Sequence, residues 1–90
     1  MDGTLITLDV PGSTSTQAFG LNNVGQVVGA FLDGAGKTHG FLFANGSFRT
    51  IDDPNGIGTT TVNGINDFGN IVGFFVDSAG NTNGFVGIAG

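Results

Sequence analysis

The apolar residues of this chain come in short runs broken by Asn, Asp and Gly. Val27-Val28-Gly29-Ala30-Phe31-Leu32 and Ile71-Val72-Gly73-Phe74-Phe75-Val76 are continuous runs, and Phe41-Leu42-Phe43 and Phe85-Val86-Gly87-Ile88 are shorter ones. No segment keeps a 3.6-residue period long enough for a helix, whereas short apolar runs bounded by turn residues read as strands. A strand that is apolar on both sides is covered on both faces, so these runs belong between layers. Four kinds of strand follow, each occurring twice: a at residues 17–22 and 61–66, b at 26–32 and 70–76, c at 38–44 and 82–88, and d at 5–10 and 48–53. Each connection carries its own turn chemistry. Asn23-Val24-Gly25 and Asp67-Phe68-Gly69 join a to b with an Asx residue and a Gly able to take positive φ. Asp33 to Gly36 and Asp77 to Gly80 do the same between b and c, Asn45-Gly46 is a hairpin dipeptide between c and d, and Pro11 and Pro54 end strand d.

The chain repeats itself. Gly20-Leu21-Asn22-Asn23-Val24-Gly25-Gln26-Val27-Val28-Gly29 aligns without a gap on Gly64-Ile65-Asn66-Asp67-Phe68-Gly69-Asn70-Ile71-Val72-Gly73. Asp33-Gly34-Ala35-Gly36-Lys37-Thr38-His39-Gly40-Phe41 aligns on Asp77-Ser78-Ala79-Gly80-Asn81-Thr82-Asn83-Gly84-Phe85, and Gly3-Thr4-Leu5-Ile6-Thr7-Leu8-Asp9-Val10-Pro11 on Gly46-Ser47-Phe48-Arg49-Thr50-Ile51-Asp52-Asp53-Pro54. The period is about 43 residues, within the range of solenoids and propellers. The first repeat spans about 3–45 and the second about 46–90, each in the order d-a-b-c, within a single unit of 1–90. Four-stranded meanders stacked face to face have strands apolar on both sides. The expected fold is therefore all-β: two four-stranded antiparallel propeller blades per chain, closing into a ring by oligomerisation.

The motif Gly64-Ile65-Asn66-Asp67-Phe68-Gly69-Asn70-Ile71-Val72-Gly73, followed by Asp33-Gly34-Ala35-Gly36-Lys37-Thr38-His39-Gly40-Phe41 in the other copy, resembles the bacterial HAF repeat. The resemblance covers nearly the whole chain, twice. It implies β-propeller-like blades and an extracellular location, and it implies no particular activity. Asn83 stands where that repeat has His, which argues against a catalytic or metal-binding role for His39.

Composition narrows the functions. The chain has 90 residues, with 18 Gly, nine Phe, no Cys, no Trp and no Tyr, and only two Lys plus Arg. That length suits one small domain. No disulfide scaffold or thiolate metal site is available. A net charge of −5 argues against nucleic acid, which is held by basic patches. No apolar run is long enough to span a membrane as a helix. The opening Met1-Asp2-Gly3-Thr4 lacks the basic region of a signal peptide, and its form suggests an expressed fragment or a designed chain.

Few residues are arranged for chemistry. His39 lacks the nucleophile and orienting acid of a catalytic base, so it reads as a strand residue hydrogen-bonded to a neighbour. Asp33 and Asp77 stand alone in their loops, where a calcium loop gathers several oxygens, so both read as Asx-turn residues. Asp9, Asp52 and Asp53 precede proline at a strand end; Asp52 and Asp53 could suggest the carboxylate pair of a glycosidase, but adjacent strand residues point to opposite faces and would not cooperate, so all three read as turn caps. The Phe residues read as core, apart from Phe68 at a turn tip. No cofactor is expected.

Two functions remain: a non-enzymatic, self-assembling propeller fragment and, as the alternative, a lectin-like carbohydrate-binding propeller. The absence of Trp and Tyr weighs against the second. Any polar ligand, a glycan or a cation, is placed at the loops carrying Asp33, Lys37, Asp77 and Asn81, or at the central mouth near Asn22 and Asn66. The first d strand lacks a preceding a-b-c and the last a-b-c lacks a following d. Leu5, Ile6, Leu8 and Val10 are therefore expected to pair with Phe85, Val86 and Ile88 of another copy, head to tail. Two blades per copy make about six blades from three copies or eight from four. Phe31, Phe41, Phe43, Phe74, Phe75 and Phe85 suit the wider wedge of the smaller ring, which favours a trimer over a tetramer.

Overall fold

The computed structural model describes residues 8–88. It is all-β, with seven strands: β1 (Ser15–Leu21), β2 (Val27–Leu32), β3 (Thr38–Ala44), β4 (Ser47–Ile51), β5 (Thr61–Ile65), β6 (Asn70–Val76) and β7 (Thr82–Ile88). They form two antiparallel meanders, β1-β2-β3-β4 and β5-β6-β7. Strand d of the second repeat is thus the outer strand of the first sheet. Among the described residues, Leu8, Asp9 and Val10 form no strand, and Leu5 and Ile6 of the first d segment lie outside the described residues.

Turn chemistry sets the registers. Asn45 and Gly46 take φ of 53° and 79°, the left-handed pair of a type I′ turn whose twist matches its flanking strands. That two-residue turn pairs Ala44 with Ser47 and carries the register down to Gly40 opposite Ile51. In each sheet the first strand is bulged at the same repeat position, between Ala18 and Gly20 in β1 and between Val62 and Gly64 in β5. At the centre of each sheet a glycine lets an aromatic ring cross the neighbouring strand. A Cβ on Gly29 would lie 2.8 Å from the Phe41 ring, and one on Gly73 would lie 2.8 Å from that of Phe85.

The sheets pack face to face. Val28 and Leu42 of the first sheet meet Val62 and Ile71 of the second, with Ile51, Ile65 and Phe85 around them. On the far face of the first sheet, Phe31 and Phe41 form a second cluster with Val10, flanked by Val27, Phe43 and Phe48. Polar contacts lock the joint. Asn22 Nδ2 donates to the Asn66 carbonyl at 3.0 Å, and the Asn23 backbone N and Nδ2 donate to the Asp67 carboxylate at 2.8 and 2.9 Å. At the other end, the Thr38 backbone N donates to the Gly58 carbonyl at 2.9 Å.

The two copies of the pattern differ in burial. β2 and β3 are buried through their middles. β6 and β7 are covered on one face only, and on the other Val72, Val86 and Ile88 are 47%, 78% and 76% exposed. The first sheet has the second on one face, and on its other face Val10 packs on Phe31 and Phe41 while Val27, Phe43 and Phe48 stay half-buried.

Candidate functional site

A polar constellation that includes the chain's one histidine sits where β2 turns into β3. Asp33 opens that turn, and its Oδ1 accepts from the backbone N of Ala35 at 2.8 Å and of Lys37 at 3.0 Å. This Asx turn leaves Oδ2 free to accept from His39 Nε2 at 2.7 Å. His39 is the second residue of β3, opposite Phe31 across the sheet, and the two rings lie 5.2 Å apart. One register step beyond Gly40 and Ile51 comes Asp52, whose carboxylate oxygens lie 2.9 and 3.0 Å from His39 Nδ1.

A carboxylate only accepts, so a ring flanked by two of them is fully satisfied as the imidazolium, with both nitrogens donating. Its hydrogen bond to Asp33 chiefly raises the His39 pKa, partial burial opposes this, and Asp52 raises it further. The bond from His39, helped by the Lys37 backbone N, lowers Asp33 to about 2. Both ring nitrogens are taken up by carboxylates. The geometry makes a latch that pins β4 to the β2–β3 turn. Asp52 is thus a partner of His39 and not the turn cap expected from its place before proline. Asp53 does cap the turn, accepting from the Asn55 backbone N at 2.9 Å.

The second sheet carries the same turn with a neutral partner. Asp77 Oδ1 accepts from the backbone N of Ala79 at 3.0 Å and of Asn81 at 2.9 Å, and Asn83 Nδ2 donates to Asp77 Oδ2 at 3.0 Å. These bonds lower the Asp77 pKa, the Asn81 backbone N contributing most. A cleft of about 570 Å³ opens beside Asn83, lined by Phe75, Asp77 and Pro54.

The residues expected to share a ligand fall into separate places. Asp33 and Lys37 share one β2–β3 turn, and Asp77 and Asn81 share the matching turn of the second sheet. Asn22 and Asn66 lie in the β1–β2 and β5–β6 turns, at the opposite end of the sheets. The Asn22 side chain is committed there: Oδ1 accepts from the Val24 and Gln26 backbone N, and Nδ2 donates to Gln26 and Asn66. Asn66 Oδ1 likewise accepts from the backbone N of Phe68 and Asn70. Of the residues expected at a joint between copies, Val86 and Ile88 are exposed, while Phe85 packs against the core between the sheets. Val10 is buried against Phe31 and Phe41 of its own chain, and Leu8 is half-buried. Among the described residues, no cluster of three or more His, Cys, Asp or Glu is arranged to hold a metal ion. A separate cavity of about 360 Å³ opens by β1 and β5, lined by Gln17, Phe19, Asn63 and Phe74 among others.

Set against protein-family models, curated proteins and solved structures, the chain matches none.

Proposed function

We propose that this chain is a non-enzymatic, self-assembling β-propeller segment of the HAF-repeat type, with two blades per copy joined head to tail into a ring. One observation carries the reading. The second sheet exposes Val72 and Val86 at the repeat positions where the first sheet buries Val28 and Leu42, at 0% and 5%, against its neighbour. Each apolar side chain covered there contributes about 1.5–3 kcal/mol. The cover that fits is a surface like the one the second sheet presents to the first, and the repeat supplies it. Val27, Gly29 and Phe41 occupy the positions of Ile71, Gly73 and Phe85, on the far face of the first sheet. A second copy offering that face makes a heterologous contact that repeats until it closes.

Three copies, with about six blades, are favoured over four for the wedge reason given by the Phe residues. Native mass spectrometry tests the reading: a trimer supports it, a tetramer supports the larger ring, and a folded monomer at micromolar concentration overturns it. The second reading, a lectin-like propeller, draws on the cavity by β1 and β5. There the Gln17 and Asn63 amides stand beside Phe19 and Phe74, a polar and aromatic combination suited to a sugar. Glycan-array binding lost on Asn63→Ala would favour it.

A further inference from the structure

Resting on the lectin-like reading, we propose that the cavity by β1 and β5 is the seat of an uncharged pyranose, one per chain, and that Ala30 is the residue that keeps it open.

Two irregularities of the backbone build the cavity. β1 pairs Ala18 with Gly29 and Gly20 with Val28, which leaves Phe19 as the extra residue of its bulge. β5 pairs Val62 with Gly73 and Gly64 with Val72, which leaves Asn63 as the extra residue there. A bulge breaks the strict alternation of the pleat and re-aims a side chain. Phe19 and Asn63 occupy the same repeat position, and both line this one cavity. The two bulges thus serve the same space, one with an aromatic ring and the other with an amide.

The chemistry of the walls defines the occupant. Gln17 and Asn63 are both exposed and bring two amides to the cavity. An amide donates and accepts, as does each hydroxyl of a sugar, so two neighbouring hydroxyls find both partners on one side chain. Phe19 and Phe74, 46% and 37% exposed, add apolar surface for the C–H side of a pyranose. Among the described residues that line the cavity, none is charged. A carboxylate, sulfate or ammonium group would lose water there with no counter-charge to replace it. At about 360 Å³ the space lies at the lower end of ligand pockets, roughly 300–1,000 Å³, and suits the end of a glycan.

The repeat shows why this space belongs to one joint. Ala30 is Gln17's register partner across β1 and β2, is 6% exposed and lines the cavity. Its repeat partner in the second sheet is Phe74. A benzyl group at position 30 would fill the volume that the methyl leaves free. The face of the second sheet that carries Phe74 has a ring where the first sheet has this space.

Titration of the full chain with simple sugars, followed by saturation-transfer NMR, is the test. The probes are methyl glucoside, galactoside, mannoside and fucoside, with glucuronic acid and protonated glucosamine as charged controls. At least one neutral glycoside is expected to bind, and the charged sugars to bind more weakly. Asn63→Ala is expected to weaken binding about tenfold, the loss of one or two hydrogen bonds. Ala30→Phe is expected to abolish binding while native mass spectrometry shows the same assembly as the parent chain. Asn63 is exposed, so Asn63→Ala keeps the fold and carries the test where Ala30→Phe does not fold. Preferred binding of a charged sugar overturns the ligand class. A neutral sugar held as well by Asn63→Ala, or by folded Ala30→Phe, as by the parent overturns the site and leaves a lectin that binds elsewhere. A parent chain that binds none of the probes overturns the proposal, and one that also binds nothing on a glycan array overturns the lectin-like reading with it.

Discussion

The two sheets of this protein run on nearly the same pattern and arrive at different states of burial. Val28 and Val72 are repeat partners, yet Val28 is fully buried and Val72 is half exposed. Leu42 and Val86 make the same contrast. The intrinsic strand preference of these residues does not differ enough to cause this. The difference lies in what covers them: the first sheet has the second on one side, while the matching face of the second sheet meets no other strand among the described residues. A repeat that stacks buries its faces only against neighbours, and a terminal repeat keeps one face open unless something caps it.

The sharpest way to break this comparison is to remove the ring that crosses the central glycine in each sheet. Phe41→Ala is expected to cost about 3–5 kcal/mol, read as a shift in urea midpoint, because Phe41 is wholly buried and its loss leaves a cavity. Phe85→Ala, at the same position of the second sheet, is expected to cost less in the isolated chain. Equal costs at low protein concentration would mean that the second sheet is as well covered as the first.

Charge on the open face separates folding from assembly. Val86→Asp is expected to leave the circular dichroism spectrum unchanged and to abolish higher-mass species in light scattering. Leu42→Asp, its repeat partner, is expected to unfold the chain, since it buries an unpaired carboxylate. An unfolded Val86→Asp chain, or an unaltered assembly, would contradict the comparison.

The turns test the joint between the sheets. Asn23→Ala removes the Nδ2 bond to Asp67 and is expected to cost about 0.5–1.5 kcal/mol. A double-mutant cycle with Asp67→Ala should return a coupling energy of that order. A coupling near zero would mean that apolar packing alone holds the sheets together.

The two latches differ in how they respond to pH. His39 has its pKa raised in the folded state, so its contribution is fully present below about 6.5 and is lost as pH rises through the folded value. Asp33 is lowered to about 2, so its contribution is present above its unfolded value near 3.8 and is lost as pH falls towards 2. Both are in place between about pH 4 and 6.5. His39→Asn, which copies the second latch, is expected to lower the melting temperature at pH 5.5 and to have a smaller effect at pH 9. An effect equal at both pH values would mean that the ring acts through its packing on Phe31 and not through its charge.

The smallest effect is expected at Phe68, which is 89% exposed at its turn tip. Phe68→Ser should move stability by no more than about 0.5 kcal/mol.

Much of this was legible in the chain. The glycines and Asx residues of the turns act locally, through positive φ and through side chains that bond their own backbone, so the turns and the strands between them could be read directly. Asn45-Gly46 even set the register that puts Asp52 across from His39. That pairing was missed because Asp52 precedes Asp53-Pro54, where turn capping is the usual role of an Asp. The first d segment reads as a strand; of it, Leu8, Asp9 and Val10 form none, and Leu5, Ile6 and Thr7 lie outside the described residues. The core was legible as a list of apolar runs, and its distribution was not. Hydropathy alone cannot tell Val28 from Val72, or Leu42 from Val86, because burial is a relation between surfaces. Sequence alone determined the strands, the turns and the repeat, which rest on interactions a few residues apart. Only the tertiary structure decided which faces are covered, where Asn22 spends its hydrogen bonds and how His39 is held. Each of those depends on groups that meet across the sheets.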